Sequence, residues 1–280
     1  MTDDGVVDEK DNFCYRHPNR QSYILCQRCG RTVCPSCSTQ ASVGVHCPEC
    51  VKGAQARAPR QRPAAVRAAR AWRRGSSVPV VTYSIIALCV IVYALQFFVG
   101  IDPGFYAPAL DERPQSIVTS IFAHGGVIHL LLNMFSLFMI GPTLELAVGR
   151  VRYVTLFLLA GVAGNIAYLW LADIPTLLST SVVGASGAIF GLLGALFIMI
   201  RRIGGNTSQL IMVLVLNLAL GFLVPGIAWQ AHIGGLVAGL VIAVIYTRTQ
   251  GPRNRNRQIA LIVAVGAALV ALTVAALLIR

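Results

Sequence analysis

Polar and apolar residues are segregated along this chain. Residues 1–74 are polar and turn basic after Lys52, whereas residues 78–279 are mostly apolar. The apolar part divides into seven stretches, approximately 78–99, 125–148, 153–172, 182–200, 208–225, 228–247 and 258–279. Several approach the roughly 20 residues that a helix needs to cross a hydrocarbon layer. None alternates with period two, which excludes barrel strands. The stretch at 208–225 is short and ends in Pro225-Gly226, so it is expected to stop near one interface. The longest link, 103–124, carries Phe105, Tyr106, Leu110, Ile117, Val118, Ile121 and Phe122, and is expected to lie partly in the interface rather than to cross. The pattern predicts an all-α polytopic membrane protein with a small soluble head.

Composition agrees. The 280 residues are 56% hydrophobic and only 12% charged, a balance rare in a soluble domain. The charges give an orientation. Lys52, Arg57, Arg60, Arg62, Arg67, Arg70, Arg73 and Arg74 precede the first span with no acid among them. Arg150 and Arg152 follow the second span, Arg201 and Arg202 the fourth, and Arg248, Arg253, Arg255 and Arg257 the sixth. The opposite links hold Asp102, Asp111, Glu112 and Asp173, with Arg113 the basic exception before the terminus. Basic links stay in the cytoplasm, so the N-terminus is expected inside and the C-terminus outside, in a multi-pass plasma membrane protein. No secretory signal is expected, because the first apolar stretch follows more than seventy polar residues. The linker 51–77 is rich in Arg, Ala and Pro, and its 64–74 segment has the composition of a short basic helix suited to anionic lipid headgroups. The net charge of +12 sits where topology requires it, which argues against nucleic acid as a partner.

The head has its own chemistry. Seven of the eight cysteines lie between residues 14 and 50, as Cys14-x2-His17, Cys26-x2-Cys29, Cys34-x2-Cys37 and Cys47-x2-Cys50. Pairs at this spacing bend two ligands onto one tetrahedral metal, and eight ligands suffice for two structural zinc ions. His46 is an alternative to Cys47. A reducing cytoplasm disfavours disulfides. The pairs can be joined sequentially or interleaved, first with third and second with fourth. The interleaved order, favoured by the short loops, resembles B-box and RING-like cross-braced fingers. Closed four-ligand sites have no open position for catalysis, so the metals are structural. The module then serves to bind a cytoplasmic protein partner, dock on the membrane or regulate. Cys89 lies within the first span and is read as a small packing residue.

The apolar part contains a polar constellation. His129, Ser186 and His232 each lie about four residues inside the N-terminal ends of the second, fourth and sixth spans, about 6 Å deep at helical rise. Asn133 shares the face of His129, one turn deeper. Polar side chains in hydrocarbon are costly and should face the bundle interior. Ser186 becomes nucleophilic when a base takes its proton, and His232 can do so if the helices touch. Gly187-x3-Gly191 and Gly235-x3-Gly239 present small surfaces that let helices approach. No acid sits at the outer ends of these spans, so the reading is a Ser–His dyad rather than a triad. A transporter lined by His and Ser lacks its acidic coupling residues here. A non-catalytic adaptor leaves the matched depth unexplained.

The motifs His124, His129-Leu-Leu-Leu-Asn133, Gly184-Ala185-Ser186-Gly187 and Ala231-His232-Ile233-Gly234-Gly235 together resemble the rhomboid intramembrane serine proteases over roughly 78–248. The resemblance implies a six-helix core with a seventh C-terminal helix, a 6+1 layout. It implies that Ser186 attacks a peptide carbonyl in a transmembrane protein substrate, that His232 is base and then acid, and that His129, Asn133 and the Ser186 N–H hold the oxyanion. It implies no cofactor for catalysis, and places His124 at the outer rim. Three positions depart from the family pattern or bear on it. Gln115 and Ser116 replace a Trp-Arg pair that anchors a loop; Phe190 offers a ring without a hydroxyl beside the histidine; Glu145 matches an acidic position expected to tie elements together. The domain plan is a zinc module over 1–51, a basic linker over 52–77, a protease core over 78–248, and a link with the seventh helix over 249–280.

Overall fold

A computed structural model describes residues 12–41, 43–57 and 78–279. The suggested basic helix at 64–74 lies outside the described residues. The chain forms two compact units, Met1–Ser76 and Ser77–Arg280.

In the head, β1 (Phe13–Cys14) pairs antiparallel with β2 (His17–Gln21), and β3 (Thr39–Gln40) with β4 (Val45–His46). Cys14 and His17 sit at the turn of the first hairpin, Cys26 and Cys29 in a turn closed by an isolated Leu25–Thr32 bridge, Cys34 and Cys37 about the short 3-10 helix Pro35–Cys37, and Cys47 and Cys50 at the start of α1 (Pro48–Arg57). Helix α1 runs across the module boundary expected at residue 51. The buried cluster consists of Cys14, Cys26, Val33, Cys34, Cys37 and Cys47. Too little apolar surface is enclosed to hold a domain of this size unaided.

The second unit is helical. Its principal helices are α2 (Val80–Val99), α3 (Val127–Val148), α4 (Arg150–Leu171), α5 (Ser186–Arg202), α6 (Ser208–Leu223), α7 (Trp229–Arg248) and α8 (Arg255–Ile279). All seven apolar stretches therefore become helices. Five of them, α2, α3, α4, α7 and the segment Pro252–Ile279 containing α8, are long and apolar enough to cross a membrane; α5 and α6 have 17 and 16 residues. The unit is a multi-pass membrane protein. Large apolar side chains such as Phe97, Phe98, Leu131, Leu132, Phe135, Leu216 and Val270 stand on its outside, as lipid contact requires.

Helix α5 is shorter than its apolar stretch because residues 180–185 stay out of the helix. Val182 forms an isolated antiparallel bridge with Phe105, with reciprocal N–H to carbonyl bonds of 2.8 and 2.9 Å. The 101–124 link does not cross. It folds into short turns and one short helix, Ser116–Thr119, and buries Phe105, Leu110 and Ile121 completely.

Helices α4, α5 and α7 form the centre, where backbones meet. A Cβ at Gly235 would collide with the Gly187 carbonyl, and one at Gly239 with the Gly191 carbonyl. Small residues at four-residue spacing allow this approach, and dispersion gains substitute for the hydrophobic effect that lipid does not supply. Glu145, at the C-terminal end of α3, caps α2. Its carboxylate accepts from the N–H of Val81 (3.1 Å) and from the N–H and hydroxyl of Thr82 (both 2.8 Å). Buried negative charge is stabilised there by the unpaired N–H groups and the positive end of the helix. The basic ends gather at this end of the bundle. Arg152 bonds Gln258 (2.8 Å) and lies over the Tyr246 ring, and Arg202 donates to the Thr247 carbonyl.

Candidate active site

His129, Ser186 and His232 occupy the opposite end of the bundle from these arginines. Ser186 is the first residue of α5, not four residues inside a helix, because the 180–185 segment is not helical. His129 and His232 lie near the starts of α3 and α7. The His232 Nε2 is 2.9 Å from the Ser186 Oγ. Their helices can come this close because Ala231 rests on two glycines: a Cβ at Gly164 would lie 2.7 Å from its carbonyl oxygen, and one at Gly187 3.2 Å.

Phe190, one turn after Ser186, stacks on the His232 imidazole with centroids 4.3 Å apart and planes 10° from parallel. The ring replaces an acidic orienter as a means of holding the histidine. His232 Nδ1 is buried without a hydrogen-bond partner among the described residues and faces Gly221 of α6, where a Cβ would stand 3.5 Å away. In the tautomer whose proton is on Nδ1, Nε2 accepts from the Ser186 hydroxyl. Such an imidazole can remove the serine proton.

His129 lies against the other side of the Ser186 loop. Gly184 has φ +126°, a conformation open to glycine, and a Cβ there would be 2.8 Å from His129 Nε2. The Gly125 N–H donates to His129 Nδ1 (3.5 Å), which leaves the proton on Nε2, facing that loop. Asn133 donates one amide N–H to the His129 carbonyl (2.9 Å), and an amide has a second. Ser186 also contributes a backbone N–H at a helix start, where the first N–H groups have no intrahelical acceptor. His129 Nε2 and Asn133 Nδ2 thus lie 2.8 and 3.9 Å from a Cβ position on Gly184, two residues before Ser186.

His124, expected at the outer rim, is buried in the loop before α3. It is 1% exposed and meets the His129 ring edge-on, with centroids 5.2 Å apart. Its Nδ1 is 3.2 Å from the Phe122 carbonyl, and its backbone N–H donates to Gln96 (3.0 Å). The loop at Gln115 and Ser116 is held from α4 instead of by a Trp-Arg pair. Asn165 Nδ2 donates to the Ile117 carbonyl and to Ser120 Oγ, both at 2.8 Å. Reading the motifs alone passes over Asn165. The signal was available: an amide inside the third apolar stretch is costly unless it is used.

Residues 111–249 match the Rhomboid domain. The chain is 32% identical to the rhomboid protease GluP of Bacillus subtilis (strain 168) over 183 residues, 59% of this chain and 34% of that protein. It is 42% identical to RHOMBOID-like protein 4 of Arabidopsis thaliana over 132 residues, 44% of this chain and 31% of that protein. It is 34% identical to the putative rhomboid protease YdcA of B. subtilis over 134 residues, 46% of this chain and 65% of that protein. The chain thus spans between 31% and 65% of the length of these relatives. The rhomboid match covers the Ser186–His232 pair and stops short of the head.

The head brings its ligands into two groups, Cys14, His17, Cys34 and Cys37, and Cys26, Cys29, Cys47 and Cys50. This is the interleaved order; Cys47 rather than His46 stands in the second group. Within each group all ligand atoms lie within 4.8 Å of one another. His17 Nδ1 is 3.8, 3.5 and 3.3 Å from the sulfurs of Cys14, Cys34 and Cys37, and Cys29 Sγ is 3.7 Å from Cys47 Sγ. A tetrahedron with metal–sulfur bonds of about 2.3 Å has edges of about 3.8 Å, so the donors fit such an ion. Burial opposes ionisation of Cys14 and Cys26, but backbone N–H groups, led by those of Cys34 and Cys47, draw both down to about 6. Burial, and then Cys34, pushes Cys37 up to about 11; Cys47, and then burial, pushes Cys50 up to about 12. Thiols this close cannot all ionise without a cation among them.

Proposed function

We propose that this protein is an intramembrane serine endopeptidase that cleaves transmembrane protein substrates near the outer membrane face. The observation that carries this reading is the 2.9 Å contact between His232 Nε2 and Ser186 Oγ at one end of an apolar helical bundle. The relatives named as proteases support it.

Ser186 Oγ attacks the scissile carbonyl while His232 Nε2 takes its proton. The oxyanion is received by the His129 Nε2–H, the free Asn133 amide hydrogen and the Ser186 backbone N–H. Donors aimed at developing charge contribute about 3 kcal/mol each in comparable sites. His232 then protonates the leaving amine, and water hydrolyses the acyl-enzyme by the same route in reverse. Substrates present an unwound segment, because a continuous helix hides its carbonyls in hydrogen bonds.

The α2–α7 helices form the six-helix core and α8 the added seventh, with the N-terminus in the cytoplasm, the C-terminus outside and the basic bundle end facing inward. The bilayer is that of the plasma membrane. Two zinc ions are held by the two head groups in a B-box-like module. They supply a structural cross-link and take no part in catalysis; the module serves a cytoplasmic protein partner.

A serine-reactive fluorophosphonate tests the dyad. Labelling and cleavage of a transmembrane reporter should vanish in Ser186→Ala and fall at least about 10³-fold in His232→Ala. Undiminished labelling in a folded Ser186→Ala protein would sink the assignment.

A further inference from the structure

One face of α4 holds both segments that frame the Ser186–His232 pair. Gly161, Gly164, Asn165 and Tyr168 follow the i, i+3, i+4, i+7 spacing of a single helical stripe. Gly161 seats Ile121, with a Cβ position 2.6 Å from its Cδ1, and Gly164 seats the Ala231 backbone. Tyr168 OH bonds Thr180 Oγ1 at 2.7 Å, at the start of the non-helical segment before Ser186. Asn165 is 5% exposed and spends its amide on two acceptors of one turn, the Ile117 carbonyl and Ser120 Oγ. An amide in so dry a place keeps its acceptors, since leaving them is costly.

That turn passes the constraint onward. The Ser120 carbonyl accepts the Gly184 N–H at 2.9 Å. Gly184 is the residue whose bare face lies against His129, two positions before Ser186. Asn165 is thus three contacts from the imidazole, and its two hydrogen bonds go to Ile117 and Ser120, neither assigned to the reaction.

We propose that Asn165 is a positioning residue. By locking the 117–120 turn it sets the separation between the Gly184–Ser186 loop and the His129 imidazole, and with it the geometry in which an oxyanion is received. The inference rests on the proteolytic reading for its catalytic consequence, but the linkage itself can be read without catalysis. An apolar side chain of equal volume fills the same space and leaves the turn unheld. A carboxylate of equal shape cannot donate to the Ile117 carbonyl. Both substitutions therefore remove the lock by different means.

The test uses the full chain in proteoliposomes, with kcat expressed per site titrated by the fluorophosphonate. Asn165→Leu and Asn165→Asp should each lower kcat per titrated site by about 10- to 100-fold, with KM within about 2-fold, the loss expected of a sub-ångström to ångström misplacement. Ser120→Ala should lower it by a smaller factor, and the Asn165→Leu/Ser120→Ala double variant should be no worse than Asn165→Leu, because both act through one bond. A residue needed for folding alone would reduce the titrated fraction and leave kcat per site unchanged. Hydrogen exchange gives the second readout: the Gly184 amide should exchange at least about 10-fold faster in Asn165→Asp. Unchanged Gly184 exchange overturns the inference, as does an unchanged kcat per titrated site in an active enzyme. Faster Gly184 exchange in a protein whose wild type neither labels nor cleaves supports the linkage and defeats the proteolytic reading. If Asn165→Leu does not fold, Asn165→Asp and Ser120→Ala carry the same comparison.

Discussion

In the buried cluster of the head, Val33 is the one residue that is not a cysteine. In the helical domain the main cluster draws Leu130, Leu137, Leu144, Leu156, Phe157, Ile189, Leu192 and Ile242 from neighbouring helices, and the central helices meet backbone to backbone through glycine. The head is closed by the groups that would grip an ion, and the helical domain by the absence of side chains. These two ways of filling space fail differently. The first fails when something is taken out, and the second when something is put in.

Metal removal should separate them most. Metal analysis of the purified chain should give two zinc ions, and a strong chelator should abolish the protease resistance of residues 12–57. Structural zinc in small fingers contributes on the order of 10–16 kcal/mol, more than such a head can otherwise muster. The fluorophosphonate reactivity of Ser186 should stay within about 2-fold. A head that keeps its resistance without metal would show that its few apolar contacts suffice.

Adding one methyl group should reveal the opposite weakness. Gly235→Ala drives a Cβ into the Gly187 carbonyl and should cost about 3 kcal/mol, read as a fall in the melting temperature in detergent. Gly266→Ala in α8 meets nothing within 4 Å and should leave the melting temperature unchanged or slightly raised. Equal responses at the two sites would refute close backbone packing as what holds the centre. The smallest effect belongs to the cap of α2. Glu145→Gln keeps an acceptor but loses its charge, and should cost about 1–2 kcal/mol with faster exchange at the Val81 and Thr82 amides.

The helices were legible because lipid demands long apolar runs, and the closeness of Ser186 and His232 because glycine at four-residue spacing is a local signal. The basic residues announced which helix ends lie together, as Arg152 and Arg202 do near Tyr246 and Thr247. Long-range backbone pairing left no such trace. Nothing local to Val182 indicates that it will pair with Phe105, so the helix start at Ser186 was placed too early by hydropathy. His124 also depended on its surroundings: a histidine at the edge of an apolar run reads as interfacial, and its burial follows from the fold of the 101–124 link. Spacing in the head allowed two pairings of the ligand pairs. Only the three-dimensional course of the hairpins brings Cys14 and His17 to Cys34 and Cys37.

The cap on α2 also bears on how the chain is made. Thr82 and the carboxylate that receives its N–H are 63 residues apart. At a synthesis rate of about 5–20 residues per second, the first helix exists for several seconds before its cap has been synthesised. Throughout that interval its leading N–H groups must be satisfied by water or headgroups. They can leave the interface for their buried place when the end of α3 arrives, so α2 and α3 are completed as a pair, and the order of translation is written into the first buried charge of the membrane domain.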